Sequence, residues 1–182
     1  MKGKKIILGL TGSIAIYKGC FLLRRLKEEG FLVKVVMTKN AREFIQPLLL
    51  ERLSENKVYT DLFDKSYDYK IEHISLAKDA DLVLIAPATA NFIGKVACGI
   101  ADDLLTSLVM ATNAPVWICP AMDENMYKNR IVQENIKKLK SLGYKFIGPE
   151  KGKLASGEVG LGRLADIELI VKELKRYFKM AW

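Results

Sequence analysis

The fold of this chain is decided near its start, by the stretch Lys5-Ile6-Ile7-Leu8-Gly9-Leu10-Thr11-Gly12-Ser13-Ile14-Ala15. Residues 5–10 form a short apolar run, which predicts a buried strand. Small or apolar residues then recur at helical spacing, at Ala15, Gly19, Leu22, Leu23 and Leu26. Gly30 follows where a helix would end. A strand that leads through a glycine turn directly into a helix is the first unit of an α/β fold.

The alternation of strand and helix continues to the end of the chain. Further apolar runs, each bounded by Pro, Gly or Asp, predict strands at residues 31–37, 82–86, 115–119 and 144–147. Between the last two of these runs, Val132, Ile136 and Leu139 form a helical stripe, and residues 166–178 form a last amphipathic helix. We therefore predict one domain over residues 1–182, a three-layer Rossmann-like or flavodoxin-like fold with a mostly parallel sheet between helices.

Composition narrows the classes of partner. Half of the 182 residues are hydrophobic, and the formal charge is +8. Because Lys and Arg are spread along the chain and interleaved with Glu and Asp, we expect a solvated surface that favours anionic ligands, and no nucleic-acid interface. No apolar run approaches the roughly 20 residues that cross a bilayer, so neither a membrane span nor a signal peptide is expected.

The cysteines indicate the compartment. Cys20, Cys98 and Cys119 are scattered through hydrophobic segments and form no CxxC pair. This spacing favours neither a disulfide framework nor a metal site. A reducing cytoplasm is therefore the expected location.

The glycine turn after the first strand predicts a phosphate-binding site. Gly12 and Ser13 are expected to present free backbone N–H groups at the positive end of the following helix. The turn is not a GxGxxG motif, and the second strand is followed by Thr38-Lys39-Asn40, where a dinucleotide-binding protein would carry an acid for the ribose. The pattern therefore favours a mononucleotide such as FMN over NAD. The alternative is that Ser13 simply caps the helix.

A second small-residue loop follows the run at residues 82–86. It reads Pro87-Ala88-Thr89-Ala90-Asn91. Its small side chains let a flat ring approach the backbone, and Thr89 and Asn91 offer hydrogen bonds to ring or ribitol oxygens. Asn91 is also expected to cap the helix that follows, and that cap alone is the simpler interpretation.

Two further segments follow later strands. The first is Pro120-Ala121-Met122-Asp123-Glu124-Asn125-Met126-Tyr127, in which Asp123 is also placed to be the N-cap of a helix. The second covers residues 152–164 and holds Gly157, Gly160 and Gly162. Three glycines within six residues predict a chain that folds over a ligand and opens again, and the alternative is a flexible surface loop.

These segments together resemble the flavin-containing cysteine decarboxylases. Residues 11–18 reproduce the TGSIAxYK start of those flavoproteins, and residues 87–91 are similar to their PxSANT element. Residues 120–127 resemble their PAMNxxMY substrate motif, and residues 154–164 resemble their LACGxxGxGRM lid. The likeness extends from residue 5 to about residue 170, so it implies the family's flavoprotein fold for nearly the whole chain.

The resemblance implies bound FMN and assigns roles to individual residues. It places FMN against Gly12, Ser13, Ile14, Thr38, Phe44, Pro87, Ala88, Thr89, Ala90, Asn91, Thr106 and Ala121. It places substrate against Met122, Asp123 and Met126. His73, the one histidine of the chain, occupies the position of the family's catalytic acid/base, although a lone histidine is more often structural.

Two positions depart from the family pattern. Asp123 stands where the family has an asparagine that binds the substrate carboxylate, so an ionised Asp123 would repel that group unless it is protonated or paired with a cation. Ser156 stands where the family has the cysteine that reprotonates the product. Because a hydroxyl is a far weaker acid than a thiol, we expect slower proton return at Ser156, or its transfer to water or His73.

The resemblance implies an FMN-dependent carboxy-lyase. The implied reaction is the decarboxylation of 4'-phosphopantothenoylcysteine, a small phosphorylated cysteine-containing substrate, to 4'-phosphopantetheine in coenzyme A biosynthesis. In this reaction the thiol is oxidised toward a thioaldehyde, the carboxylate leaves as carbon dioxide, and the enethiolate is protonated and reduced. A homotrimer or dodecamer with FMN near a subunit interface is also implied.

Three alternatives stay open at this point. A peptidyl-cysteine decarboxylase of the lantibiotic type would use the same pocket for a peptide C-terminus. A non-catalytic FMN-binding regulatory relative would account for Asp123 and Ser156 together. A flavin prenyltransferase has the same fold but lacks the PAMN-like motif, so it is the weakest of the three.

Overall fold

The computed structural model describes residues 3–63 and 72–180. Its main sheet has six strands in the spatial order β3-β2-β1-β4-β5-β6, and every neighbouring pair is parallel. The strands are β1 (Lys5–Leu10), β2 (Leu32–Met37), β3 (Val58–Tyr59), β4 (Leu82–Ala88), β5 (Val116–Pro120) and β6 (Lys145–Phe146). The predicted α/β fold with a parallel sheet is confirmed.

Helices flank this sheet on both faces. They are α1 (Ile16–Glu28), α2 (Lys39–Arg42), α3 (Pro47–Ser54), α4 (Glu72–Asp79), α5 (Ala90–Ala97), α6 (Leu104–Ala111), α7 (Glu124–Lys128), α8 (Arg130–Ser141) and α9 (Ile167–Met180). Within the described ranges, none of these helices has both the length and the apolar character that crossing a bilayer requires.

The apolar runs form two cores because successive strand residues point to opposite faces. Leu8 and Leu84 pack on one face with residues of α1 and α9, and Ile7 and Ile85 pack on the other with residues of α5 and α6. Each fully buried aliphatic side chain contributes about 1.5–3 kcal/mol relative to an exposed one. Burial on both faces therefore explains why the central strands are continuously apolar.

Glycine lets α1 pack closely on the sheet. A Cβ on Gly19 would lie 2.8 Å from Leu10 Cδ2, so any larger residue would force the Leu10 side chain to move where the helix crosses the end of β1. The helix ends before Gly30, which has a φ of +85°. The helix and its stop therefore agree with the prediction made from the spacing.

The segment predicted to be a mobile loop is a second, small sheet. β7 (Glu150–Lys153) and β8 (Val159–Arg163) pair in antiparallel fashion and form a hairpin. The strand order of the main sheet reverses between β1 and β4, and open α/β sheets bind ligands at the carboxyl ends of strands at such a point. This topology directs attention to the loops that follow β1, β4 and β5.

Candidate functional site

Thr11 joins the loops that follow β1 and β4. Its hydroxyl donates to the Pro87 carbonyl over 2.8 Å and accepts from the Thr89 N–H over 3.0 Å. Thr11 is only 1% exposed, so both hydrogen bonds are shielded from water. The two loops are therefore fixed to each other at the switch point of the sheet. The sequence motif that contains Thr11 does not by itself predict this role.

The turn after β1 presents different N–H groups from those expected. The N–H of Ser13 donates to the Thr11 carbonyl over 2.8 Å, so the expectation that it is free is wrong. The N–H groups of Gly12 and Ile14 have no acceptor within residues 3–63 and 72–180. These two groups, which precede the first turn of α1, are available to an anion.

Ser13 is not the N-cap of α1 either. Ala15 occupies the cap position, and the Ser13 hydroxyl accepts the Ala15 N–H over 3.3 Å. Gly12 is required for a separate reason, because a Cβ there would lie 2.5 Å from Asn40 Cβ. The turn therefore packs directly against the start of α2, on the neighbouring β2 connection.

The loop after β4 is capped by a different residue from the one predicted. The Thr89 hydroxyl accepts the Phe92 N–H over 3.3 Å, so Thr89 is the N-cap of α5. Asn91 lies inside the first turn of the helix and is exposed, so its predicted role as the cap is wrong. The Thr89 hydroxyl is occupied by this helix cap. Thr89 nevertheless lines the cavity, because it lies at the end of β4.

The loop after β5 presents Asp123 beside two methionines. Asp123 is the N-cap of α7, and its Oδ1 accepts the Asn125 N–H over 2.8 Å. In the part of the chain that the structure describes, no cation forms an ion pair with Asp123. The local capping role foreseen for this residue is therefore present, and its second oxygen is not engaged by a basic side chain.

The hairpin covers the same end of the sheet. Its tip is closed by hydrogen bonds between Leu154 and Glu158 and from the Gly157 N–H to the Leu154 carbonyl, and Ser156 lies exposed at this tip. Gly157 has a φ of +91°, as a tight turn requires. Gly160 and Gly162 have a different structural reason to be glycine, because each packs closely against the segment at residues 122–124.

One cavity of about 670 Å³ brings these segments together. Of the predicted site residues, it is lined by Gly12, Ser13, Ile14, Thr89, Ala121, Met122, Asp123, Met126 and Ser156. Its volume lies within the ~300–1,000 Å³ typical of small-molecule sites. Residues from the loops after β1, β4 and β5 and from the hairpin therefore face one space.

Three cations that the sequence motifs do not assign to the site also line this cavity. Lys18, Lys153 and Arg163 face it together with Asp123. Burial, followed by the nearby Arg163 guanidinium, lowers the pKa of Lys18. Lys18 belongs to the motif at residues 11–18, and Arg163 belongs to the motif at residues 154–164. The excess of positive charge favours an anionic ligand.

The remaining predicted residues lie outside the cavity lining. They are Thr38, Phe44, His73, Pro87, Ala88, Ala90, Asn91 and Thr106. Thr38 is adjacent to the site, since its N–H donates to the Leu10 carbonyl over 3.0 Å. Thr106 is fully buried, and its hydroxyl joins the Asp103 backbone and carboxylate in a capping box. Phe44 is 52% exposed on the surface.

His73 lies in the first turn of α4. The last residue of that helix, Asp79, pairs with Lys34 over 3.0 Å and with Lys5, near the amino ends of β1 and β2. The first turn of α4 is therefore directed toward the carboxyl edge of the sheet. His73 Nδ1 is buried and has no hydrogen-bond partner among the described residues.

Comparison with known proteins identifies related chains. The model of the family described as Flavoprotein matches residues 1–179. The chain is 48% identical over 177 residues to the coenzyme A biosynthesis bifunctional protein CoaBC of Borreliella burgdorferi, a match that covers 97% of this chain but 45% of that protein. It is 45% identical to a probable phosphopantothenoylcysteine decarboxylase of Streptococcus mutans, over 94% of this chain and 97% of the relative.

Solved structures give the same picture. A cysteine-to-serine mutant of PPC decarboxylase, complexed with pantothenoylaminoethenethiol, superposes with a TM-score of 0.89 at 32% identity, over 98% of this chain and 100% of that one. The FMN-binding protein AtHal3 superposes with a TM-score of 0.85 at 32% identity, over 98% of both chains. The similarity therefore covers the whole arrangement of sheet, helices and hairpin. The chain spans less than half the length of the bifunctional relatives.

Proposed function

The chain belongs to the Flavoprotein family, and we propose that it catalyses the FMN-dependent decarboxylation of 4'-phosphopantothenoylcysteine to 4'-phosphopantetheine in coenzyme A biosynthesis. The family model matches nearly all of the chain. The relative from Streptococcus mutans, which has almost the same extent as this chain, supports the decarboxylase assignment. The bifunctional relatives support the pathway.

One observation supports the proposal most directly. The sequence predicts that the turn after β1 binds phosphate, that residues 121–126 bind substrate and that the hairpin tip covers the ligand. All three segments line the same cavity. The cavity also holds Lys18, Lys153 and Arg163, which suits a substrate that carries a phosphate and a carboxylate.

The residues present suit FMN. The unpaired N–H groups of Gly12 and Ile14 would hold its phosphate, because they lie at the positive end of α1. Gly12 leaves no side chain in the way of that group. Thr89 and Ala121 would border the ring. FMN, when bound, supplies the two-electron oxidation of the substrate thiol that makes loss of the carboxylate possible.

The chain's own side chains orient the substrate. We assign Lys18, Lys153 and Arg163 to its anionic groups, and Met122 and Met126 to its apolar stem. Within the described lining, Asp123 is the one carboxylate facing these three cations. The cations therefore reduce, without cancelling, the repulsion that an ionised Asp123 would exert on a substrate carboxylate.

Proton return is assigned to the hairpin tip. Ser156 is exposed, so water reaches the place where related enzymes carry a thiol. Because a serine hydroxyl is a weak acid, we propose that water bound at Ser156 delivers the proton to the product carbon. The hydroxyl then serves to hold that water and not to ionise.

His73 is proposed to act in the cavity of a neighbouring subunit. It does not line the cavity of its own chain, although α4 directs it toward the same edge of the sheet. His73 is partly exposed, so in a homotrimer or dodecamer with FMN near an interface its ring would meet the adjacent substrate. There His73 would move a proton as general acid and base.

Mixing two inactive variants tests that assignment. His73→Asn removes the proposed acid/base that acts in the neighbouring subunit's cavity. Gly12→Asp places a side chain and a negative charge in the phosphate site of its own subunit's cavity. Co-expressed subunits should regain activity, because a mixed oligomer contains some cavities with intact FMN sites and an intact neighbouring histidine. Because a Cβ at residue 12 would lie 2.5 Å from Asn40 Cβ, mixed oligomers are first shown to form by native mass spectrometry. Activity of these mixed oligomers no higher than that of either variant alone would show that His73 does not work across an interface.

The substrate assignment is tested against its rivals by one comparison. The FMN-loaded protein is incubated either with 4'-phosphopantothenoylcysteine or with a peptide that ends in cysteine, and carbon dioxide release is measured. We expect release from the phosphorylated substrate alone. Release from the peptide alone would instead assign the chain to peptide decarboxylation. A yellow protein that releases carbon dioxide from neither would support a regulatory role.

A further inference from the structure

Glu124 contacts the hairpin through its carboxylate. Its Oε1 accepts the Leu161 N–H over 2.8 Å, and Lys128 Nζ lies 3.1 Å from the same oxygen. The hydrogen bond from Leu161, followed by Lys128, lowers the pKa of Glu124. Glu124 is the first residue of α7, directly after the substrate-side residues Met122 and Asp123. It therefore connects the substrate segment to β8.

The backbone of β8 is shaped to receive this side chain. A Cβ on Gly160 would lie 2.9 Å from Glu124 Cδ and 3.0 Å from its Oε2, so glycine leaves the space that the carboxylate occupies. Next to it, the Met122 N–H donates to the Gly162 carbonyl over 3.0 Å. Gly160 and Gly162 thus bring β8 into direct contact with the segment that follows β5.

The hairpin is held by contacts outside its own two strands, and the Glu124 carboxylate supplies one of them. β7 and β8 pair only with each other within the described residues and do not join the main sheet. An isolated two-stranded hairpin is marginally stable in water. The hairpin nevertheless carries Ser156 and Arg163 into the cavity wall. Whatever holds β8 therefore also sets the position of those two side chains.

We propose that Glu124 is a positioning residue that holds the hairpin over the cavity through the Leu161 N–H. Its effect on turnover rests on the proposed function, because it acts on Ser156 and Arg163 at that site. Its effect on the hairpin itself does not depend on any reaction. Glu124 is not among the residues that line the cavity, so its proposed role is exerted through β8.

Three variants separate this role from general stability. Glu124→Ala removes the acceptor, Glu124→Gln keeps an acceptor at the same place, and Lys128→Met removes the ion pair but leaves the acceptor. Amide hydrogen exchange of residues 159–163, with residues 5–10 as internal reference, is followed by mass spectrometry. Steady-state decarboxylation and FMN content are measured on the same samples.

The proposal expects a specific pattern. In Glu124→Ala, exchange at residues 159–163 accelerates about tenfold or more, the scale of one hydrogen bond to a charged group, and kcat/KM falls by a similar factor. Exchange at residues 5–10 and FMN content stay unchanged. Glu124→Gln recovers most of the protection, and Lys128→Met behaves like the unaltered protein. Equal exchange in Glu124→Ala and the unaltered protein would overturn the proposal.

Gly160→Ala provides an independent test that leaves Glu124 in place. Its added methyl displaces the carboxylate, so exchange at residues 159–163 should again accelerate while FMN content is kept. Unchanged exchange in this variant would contradict the proposed contact. If the unaltered protein released no carbon dioxide, the proposed function would fail, whereas the exchange results would still decide the role of Glu124.

Discussion

Gly162 lies directly against the backbone of Met122. The Met122 N–H donates to the Gly162 carbonyl over 3.0 Å, and a Cβ on Gly162 would lie 2.0 Å from the Met122 carbonyl oxygen. No side chain fits in that gap, since even the smallest would overlap with backbone that cannot rotate away. The hairpin is therefore joined to the substrate segment by a contact that only glycine permits.

Gly162→Ala should detach the hairpin from that segment. We expect a loss of about 1–3 kcal/mol or more in the free energy of unfolding, the usual cost of overpacking, together with a large loss of decarboxylation. Urea denaturation and steady-state assays measure the two effects.

The matched control for that change is Gly157→Ala at the hairpin tip. An added Cβ there has no neighbour within 4 Å, although the φ of +91° carries its own cost of about 1–2 kcal/mol. The variant should keep FMN and lose less stability than Gly162→Ala. Equal stability losses in the two variants would contradict the packing argument.

Thr11→Val should loosen the two loops at the switch point. Valine has nearly the same shape but leaves the Thr89 N–H without its acceptor, which costs about 1–3 kcal/mol, while the Pro87 carbonyl keeps the Thr11 backbone N–H at 3.3 Å. We also expect weaker FMN binding, because Gly12 follows Thr11 directly. Urea denaturation and FMN titration check both effects, and Thr11→Ser should restore them. A valine variant as stable as the unaltered protein would refute this.

Ser13→Asp should weaken FMN binding. The residue faces the cavity next to the unpaired N–H groups of Gly12 and Ile14, so a carboxylate there would repel the phosphate. We expect a dissociation constant raised about fivefold or more at low salt and less at high salt, because salt screens the repulsion. Fluorescence titration with FMN measures it, with Ser13→Asn as the neutral control. Equal affinity of the Asp and Asn variants would place the phosphate elsewhere.

Asp123→Asn should tighten substrate binding. The amide removes a negative charge from the cavity, and asparagine still caps α7 as well as aspartate does. We expect KM for 4'-phosphopantothenoylcysteine to fall about fivefold, the effect of relieving a like charge in a partly hydrated site. Steady-state kinetics measure the change. A raised KM would mean that Asp123 contributes a favourable contact of its own.

Ser156→Cys should speed completion of the reaction. A thiol at the exposed hairpin tip is a far stronger acid than the hydroxyl, so the product carbon is protonated sooner. In rapid-mixing experiments the unaltered protein should show bleached flavin absorbance that recovers slowly, and the variant should recover faster. Identical recovery rates would show that proton return does not pass through this position.

The sequence predicts the centre of the sheet well and its margins poorly. Residues 82–86 form a continuous apolar run because helices cover β4 on both faces, and such burial leaves a clear signal. β3 is only Val58–Tyr59, too short for any period to be visible. The edge strand β6 likewise covers residues 145–146 and not the predicted 144–147.

Caps and glycines were harder to interpret from sequence. Ser13 and Asn91 are good capping residues, yet Ala15 and Thr89 occupy the cap positions, because backbone geometry fixes where each helix begins. The close spacing of Gly157, Gly160 and Gly162 is also typical of a mobile loop. In the structure, Gly160 packs against Glu124 of α7, and Gly162 packs against Met122 just before it. Close approach of two backbones depends on tertiary contacts, which a single sequence does not display.

The charge of the cavity could have been anticipated only in part. Lys18 and Arg163 belong to motifs that were recognised, but they are 145 positions apart and meet only through the fold. For His73 the sequence motif predicts a catalytic residue, but His73 does not line the cavity of its own chain. Its proposed partner cavity belongs to another subunit, and no pattern along one chain specifies that contact.

The central claim is that the protein binds 4'-phosphopantothenoylcysteine in this cavity and releases its cysteine carboxylate as carbon dioxide. The most direct measurement uses substrate labelled with an isotope in that carboxylate, the purified FMN-loaded protein, and simultaneous detection of labelled carbon dioxide and 4'-phosphopantetheine. We predict equal amounts of both products, with release lost in a variant that cannot bind FMN. Intact labelled substrate after prolonged incubation with the FMN-loaded protein would contradict the claim.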